Sequence, residues 1–344
     1  SPGEITKPPV TEKTSDNGGQ PKDPVTDPKD PVTDPKDPGS DGGNQPKDPV
    51  TEPQDPKPET PVKPAEGGHP LPLINYASAV TYQLSSFSAS QAAFCPNAVN
   101  KAYGGHNTAV FAQPGISDEM HRKLAQYAEA SVVYIKGKLN QSNSTEGFGD
   151  NQTISVCVKN TGSGGSGFYN ALEVSPLSMT DEEGDAPDEN LKKLVLHEMI
   201  HVMHARLAKC WDNNSTYGIV SKWFSEGSAL YLAGQDRYYT GDLADMRKMS
   251  SENPYSWIEN GYPVYERYPV YRLAVEALVD ASGKTEDDLW KFTSEYFAAN
   301  NSCNAQGYKT FNAAISQYFG NLLEDSNYIG NFWTTTLDKY ALPE

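Results

Sequence analysis

The stretch LKKLVLHEMIHVMHARLA, residues 191–208, decides how this chain is read. Leu191, Leu194, Val195, Leu196, Met199, Ile200, Val202, Met203 and Leu207 leave no polar face wide enough for solvent. A helix that is apolar nearly all round is buried. Inside it sit His197, Glu198 and His201, an H-E-x-x-H. Positions i and i+4 share a helix face, so the two imidazoles converge on one cation. Glu198 projects beside them, within reach of a water on that cation. Buried imidazoles and a buried carboxylate need partners, and a metal ion satisfies them. The pattern is the sequence form of a zinc hydrolase site, with Glu198 as general base.

A catalytic zinc takes three protein ligands and keeps one position open. Two candidates compete for the third place. The segment WFSEGSALYL, residues 223–232, reads as a second apolar helix and offers Glu226. Gly227 beside it permits close helix approach. His204 lies on the first helix at i+7 from His197, one turn beyond His201. A ligand there would have to reach past His201, and Val202-Met203 supplies no glycine to break the helix. The reading therefore takes Glu226 as third ligand and His204 as a supporting or core residue.

These two segments resemble the gluzincins, the zinc metallopeptidases related to thermolysin and the zinc aminopeptidases. His197-Glu198-x-x-His201 matches their helix motif, and Trp223-x-x-Glu226-Gly227-x-Ala229 is similar to the aminopeptidase W-x-x-E-G-x-A. The resemblance covers roughly residues 105–300. It implies Zn2+ held by His197, His201 and Glu226, a zincin-like fold, and an antiparallel sheet before the active-site helix. The edge of that sheet would pair with an extended substrate, and residues 168–174 are the expected edge. Thermolysin-like enzymes stabilise the oxyanion with a downstream histidine, but no histidine follows His204. The aminopeptidase branch uses a tyrosine. Here YPVYERYPVYRLAV, residues 262–275, offers Tyr268 first, with Tyr265 and Tyr271 as neighbours. Leu230 stands where thermolysin-like enzymes place the acid that orients a zinc histidine.

Composition sets the compartment and the partners. Residues 1–72 hold 18 of the 26 prolines and no aromatic residue or cysteine. PKDPVTD, starting at residue 21, recurs from residues 28, 35 and 46 with decay. Proline at that density forbids helix and leaves an extended, disordered stalk over residues 1–70. Residues 71–344 then form the folded domain. Such stalks resemble those behind the lipid-bearing cysteine of bacterial lipoproteins, which implies a lipid or cell-surface anchor upstream and an extracellular, periplasmic or surface location. The net charge of −17 disfavours nucleic acid and anionic membrane as partners. No apolar run is long enough to span a bilayer. Cys95, Cys157, Cys210 and Cys303 form no C-x-x-C; in an oxidising compartment they give two disulfides, with three connectivities open.

The rest of the chain reads as strands around one helix, then helices. Strands are expected at 108–112, 153–158 and 168–174, and a helix from 117 to about 138. Residues 161–167, TGSGGSG, read as a flexible turn. The acidic run 180–189 offers oxygen ligands for calcium, but its spacing fits no EF-hand, and a solvated loop with Asp188 near a helix N-terminus is the plainer reading. Helices follow at 191–208, 222–233, 242–250, 269–281, 285–300 and 308–319. This order gives an α+β fold without alternating βαβ units. The expected activity is hydrolysis of peptide or protein substrates, endopeptidase before aminopeptidase. The competing class is a surface binding protein on an inactive zincin scaffold.

Overall fold

A computed structural model of the chain describes residues 72, 74–77, 83–85, 94–98, 101–141, 148, 153–162, 164–176, 187–210, 220, 222–235, 268–299 and 307–320. The proline stalk, the acidic residues 180–186, the helix expected near 242–250, Tyr262, Tyr265 and Cys303 lie outside them.

Six strands form one mixed sheet: β1 (Gln83–Ser85), β2 (Ala102–Gly104), β3 (Thr108–Ala112), β4 (Ile154–Val158), β5 (Gly164–Gly167) and β6 (Ala171–Ser175), in the order β1-β2-β3-β4-β6-β5. β3, β4 and β6 are parallel to one another, and the outer pairs are antiparallel. The helix α1 (Asp118–Lys138) joins β3 to its parallel neighbour β4. The fold thus contains one βαβ crossover within an order of strands and a helix followed by helices. A parallel pair cannot be closed by a tight turn, so α1 makes the crossover from β3 to β4, and β5 lies in the connection from β4 to β6.

Strand periodicity sorts the two faces. Val110, Ala112, Ile154, Val156, Val158, Leu172 and Val174 enter the main core under the helices. Phe111 and Cys157 point to the other face, where Cys95 and Phe94 cover them. The Cys95–Cys157 disulfide closes that cover across a sequence separation of 62. It is one of the open pairings, and Cys210 is disulfide-bonded as well.

The α1 N-terminus is capped by Ser117, whose hydroxyl accepts from the Met120 amide at 3.1 Å. Its buried face carries Leu124, Tyr127, Ala128, Val132 and Ile135, as the periodicity predicts. Helix α2 (Pro187–Leu207) starts four residues before the expected Leu191, because Pro187 suits the first helical position and Asp188 and Glu189 suit the first turn. The Tyr127 hydroxyl donates to Asp188 at 2.7 Å and ties α2 to α1. Behind α2 lie α3 (Lys222–Ala233), α4 (Tyr268–Ala281), α5 (Glu286–Ala299) and α6 (Gly307–Phe319). Phe224, Phe292, Tyr296, Phe311 and Phe319 interlock there with ring centroids 5.2–5.6 Å apart. No described helix is long and apolar enough to cross a membrane.

Two expectations for the sheet change. Residues 168–174 do not form its edge. β6 begins at Ala171 and lies inside, between β4 and β5, while Phe168 to Asn170 make the turn, closed by the Phe168 amide donating to the Ala171 carbonyl at 2.8 Å. The edge on that side of the sheet is β5, the glycine run read as a flexible turn.

Candidate metal centre

The α2 helix is buried against the sheet on one side and α3 on the other, as its all-round apolar pattern requires. His197, Glu198 and His201 face the gap between them. Glu226 comes from the first half of α3. Gly227 lets α3 and α4 approach so closely that a β-carbon there would lie 2.2 Å from the Tyr271 carbonyl oxygen.

The three expected ligands converge. His197 Nε2 and His201 Nε2 are 3.1 Å apart. Glu226 Oε2 lies 3.3 Å from the first and 3.1 Å from the second. Tetrahedral zinc with bonds of about 2.0–2.1 Å sets its ligand atoms about 3.3–3.4 Å apart, so this triangle is close to one face of such a site. Two imidazoles and a carboxylate suit zinc, whereas calcium and magnesium prefer an all-oxygen shell. Among the described residues no other group of histidines, cysteines and carboxylates is placed to hold a metal. Asp188 is instead engaged by Tyr127, Lys123 and Lys192.

The electrostatics separate the two glutamates. Burial alone would raise both. For Glu226, His201 and His197 outweigh burial and hold its carboxyl well below the usual range. Glu198 lies farther out, with Oε1 4.0 Å from His197 Nε2. Burial pushes it up to about 7, His197 pulls it down, Glu226 and Glu173 push it up, and the Gly167 amide pulls it down. One carboxylate is therefore held ionised, as a ligand requires. The other is poised near neutrality, as proton transfer requires.

His204 takes no part in the triangle. It is fully buried, stacked on Phe297 at 4.4 Å with the rings 5° from parallel, and its ring centroid is 6.1 Å from that of His201. Neither ring nitrogen has a hydrogen-bond partner, and burial holds its pKa well below the usual value, so it is a neutral core imidazole. His197 Nδ1 is buried without a hydrogen-bond partner. Tyr268 opens α4, half-buried, edge-on to Tyr271 at 6.0 Å, and packs against the main core; Tyr271 is buried.

The sequence reading missed the wall opposite α3. β5 crosses the metal-facing side of α2 with Gly165 and Gly167 turned towards it. A β-carbon on Gly165 would lie 2.8 Å from Glu198 Cγ, and one on Gly167 would lie 2.2 Å from the Glu198 carbonyl oxygen and 3.0 Å from His201 Cβ. Only glycine fits at these two places. The signal was the alternation of Gly165, Ser166 and Gly167, which keeps glycine on one face of an extended strand. No family model matches the chain, and no curated protein matches it.

Proposed function

We propose that the protein is a zinc metallopeptidase of gluzincin type, secreted or held at the cell surface by its proline stalk. The observation that carries this reading is the convergence of His197, His201 and Glu226 with a Glu198 carboxyl beside them. The mixed sheet ahead of a helical part, with the H-E-x-x-H helix between them, supports a zincin-like arrangement. His197, His201 and Glu226 would hold the zinc, which would supply Lewis acidity to a water and to a peptide carbonyl.

The chain's own groups do the rest. Glu198 Oε1 accepts the proton of the attacking water and returns it to the leaving amine. Burial favours the protonated form through which it passes between the two transfers. Tyr268 is the proposed donor to the carbonyl oxygen as charge develops there. Among the described residues the outer side of β5 has no ladder partner, and an extended peptide adds to such an edge as a further strand.

Metal analysis of the purified protein, with cleavage of unfolded casein before and after chelation, tests the reading. We expect about one zinc per chain and chelator-sensitive cleavage. Glu198→Gln should keep the zinc and lose turnover by at least about a hundredfold. Retained turnover would remove Glu198 from its role, and zinc bound without any cleavage would favour the inactive binding scaffold.

A further inference from the structure

Glycine alone does not explain why β5 stays against α2. It is a four-residue edge strand with one strand neighbour, and glycine is the residue that loses most conformational freedom on ordering. Something beyond the β6 ladder must hold it. Arg206 lies on α2 eight residues after Glu198, about 12 Å further along the helix. It is almost fully buried. Its Nε donates to the Tyr169 carbonyl at 2.7 Å, an Nη donates to the Thr153 carbonyl at 3.4 Å, and its guanidinium lies 5.4 Å from the centre of the Tyr169 ring. Tyr169, itself buried, is in the turn that returns β5 into β6.

The spacings match. Gly165 meets Glu198, Gly167 meets Glu198 and His201, and Tyr169 meets Arg206. The segment is thus fixed to α2 at both ends: by glycine contacts at the metal-facing turn and by a charged, hydrogen-bonded clamp at the far turn. We infer that Arg206 is a positioning residue, which through Tyr169 holds the glycine strand against Glu198 and so fixes the general base beside the metal ligands. This rests on the peptidase reading for its catalytic consequence but not for its structural one.

The variants Arg206→Gln, Arg206→Lys and Tyr169→Ala test it in the full chain. Hydrogen exchange followed by mass spectrometry reads the strand directly. We expect the amides of residues 165–171 to exchange at least tenfold faster in Arg206→Gln and Tyr169→Ala, those of residues 194–203 to be unchanged, and zinc affinity to stay within about threefold. Casein turnover should fall at least tenfold in kcat. Arg206→Lys, which keeps the charge over the Tyr169 ring, should fall in between. Wild-type exchange across residues 165–171 in both truncating variants would overturn the clamp. So would faster exchange throughout α2 with loss of zinc in both, since Arg206 would then only support the fold. If the unaltered protein binds zinc but cleaves nothing, the peptidase reading fails and the exchange comparison still judges Arg206.

Discussion

Glu226 and His204 show what one turn of helix decides. Both are buried near the same two imidazoles, yet only the carboxylate completes the triangle, while the imidazole stacks on Phe297. Glu226→Ala should therefore weaken zinc binding at least a hundredfold by competition titration. His204→Phe should leave zinc affinity within a few-fold, because it replaces one ring with another in an apolar stack. The reverse order would transfer the ligand role. Glu198 makes a prediction of opposite sign to that of a paired carboxylate. In the metal-free chain its folded pKa is raised from 4.5 to about 7, so between these values the folded state carries the extra proton. Stability then falls as pH rises through that window, by up to about 3 kcal/mol. Glu226, held low, contributes stability above its unfolded value that is lost as pH falls below it, outside the Glu198 window. Urea unfolding of chelated protein at pH 5 and pH 7.5 should show the decline in the wild type and a smaller one in Glu198→Gln; equal declines would count against the raised value.

At the scale of elements, the helices of the site were legible and the strand beside it was not. The 3.6-residue period located α1, α2 and α3 to within a few residues, and motif spacing singled out His197, His201 and Glu226. β5 was unreadable because nothing local favours it: three glycines carry no strand preference, and its conformation is imposed by α2 pressing to within a β-carbon of its backbone. β1 and β2 span three residues each, too short for a period of two to register. The α3–α4 contact tests the close approach that Gly227 permits. Gly227→Ala places a methyl group against the Tyr271 carbonyl and should cost about 1–3 kcal/mol by chemical denaturation, as other overpacked cores do. An unchanged midpoint would mean that the two helices are free to separate.

Across the whole molecule, the sheet divides the work between its faces. One face carries the helices and the candidate centre; the segment around Cys95 packs on the other, tied to Cys157 near the end of β4. Replacing Cys95 and Cys157 together by alanine releases, in the unfolded chain, the loop closed across a sequence separation of 62 and should cost about 4 kcal/mol by the chain-entropy estimate. Because the bond lies on the far face, zinc affinity at a temperature where the variant is folded should be unchanged; a loss of zinc binding in the folded variant would show that the two faces are coupled. The glycine edge has a consequence for life in solution at high concentration. An open strand is a template on which copies of a protein stack into fibrils, and natural sheets shield such edges or keep them short. Here the edge is four residues long and nearly bare, so a second copy would find few side chains to interdigitate with and would have to order glycine backbone of its own. Among the described residues β5 carries no strand on its outer side, and its bareness itself works against the stacking of copies.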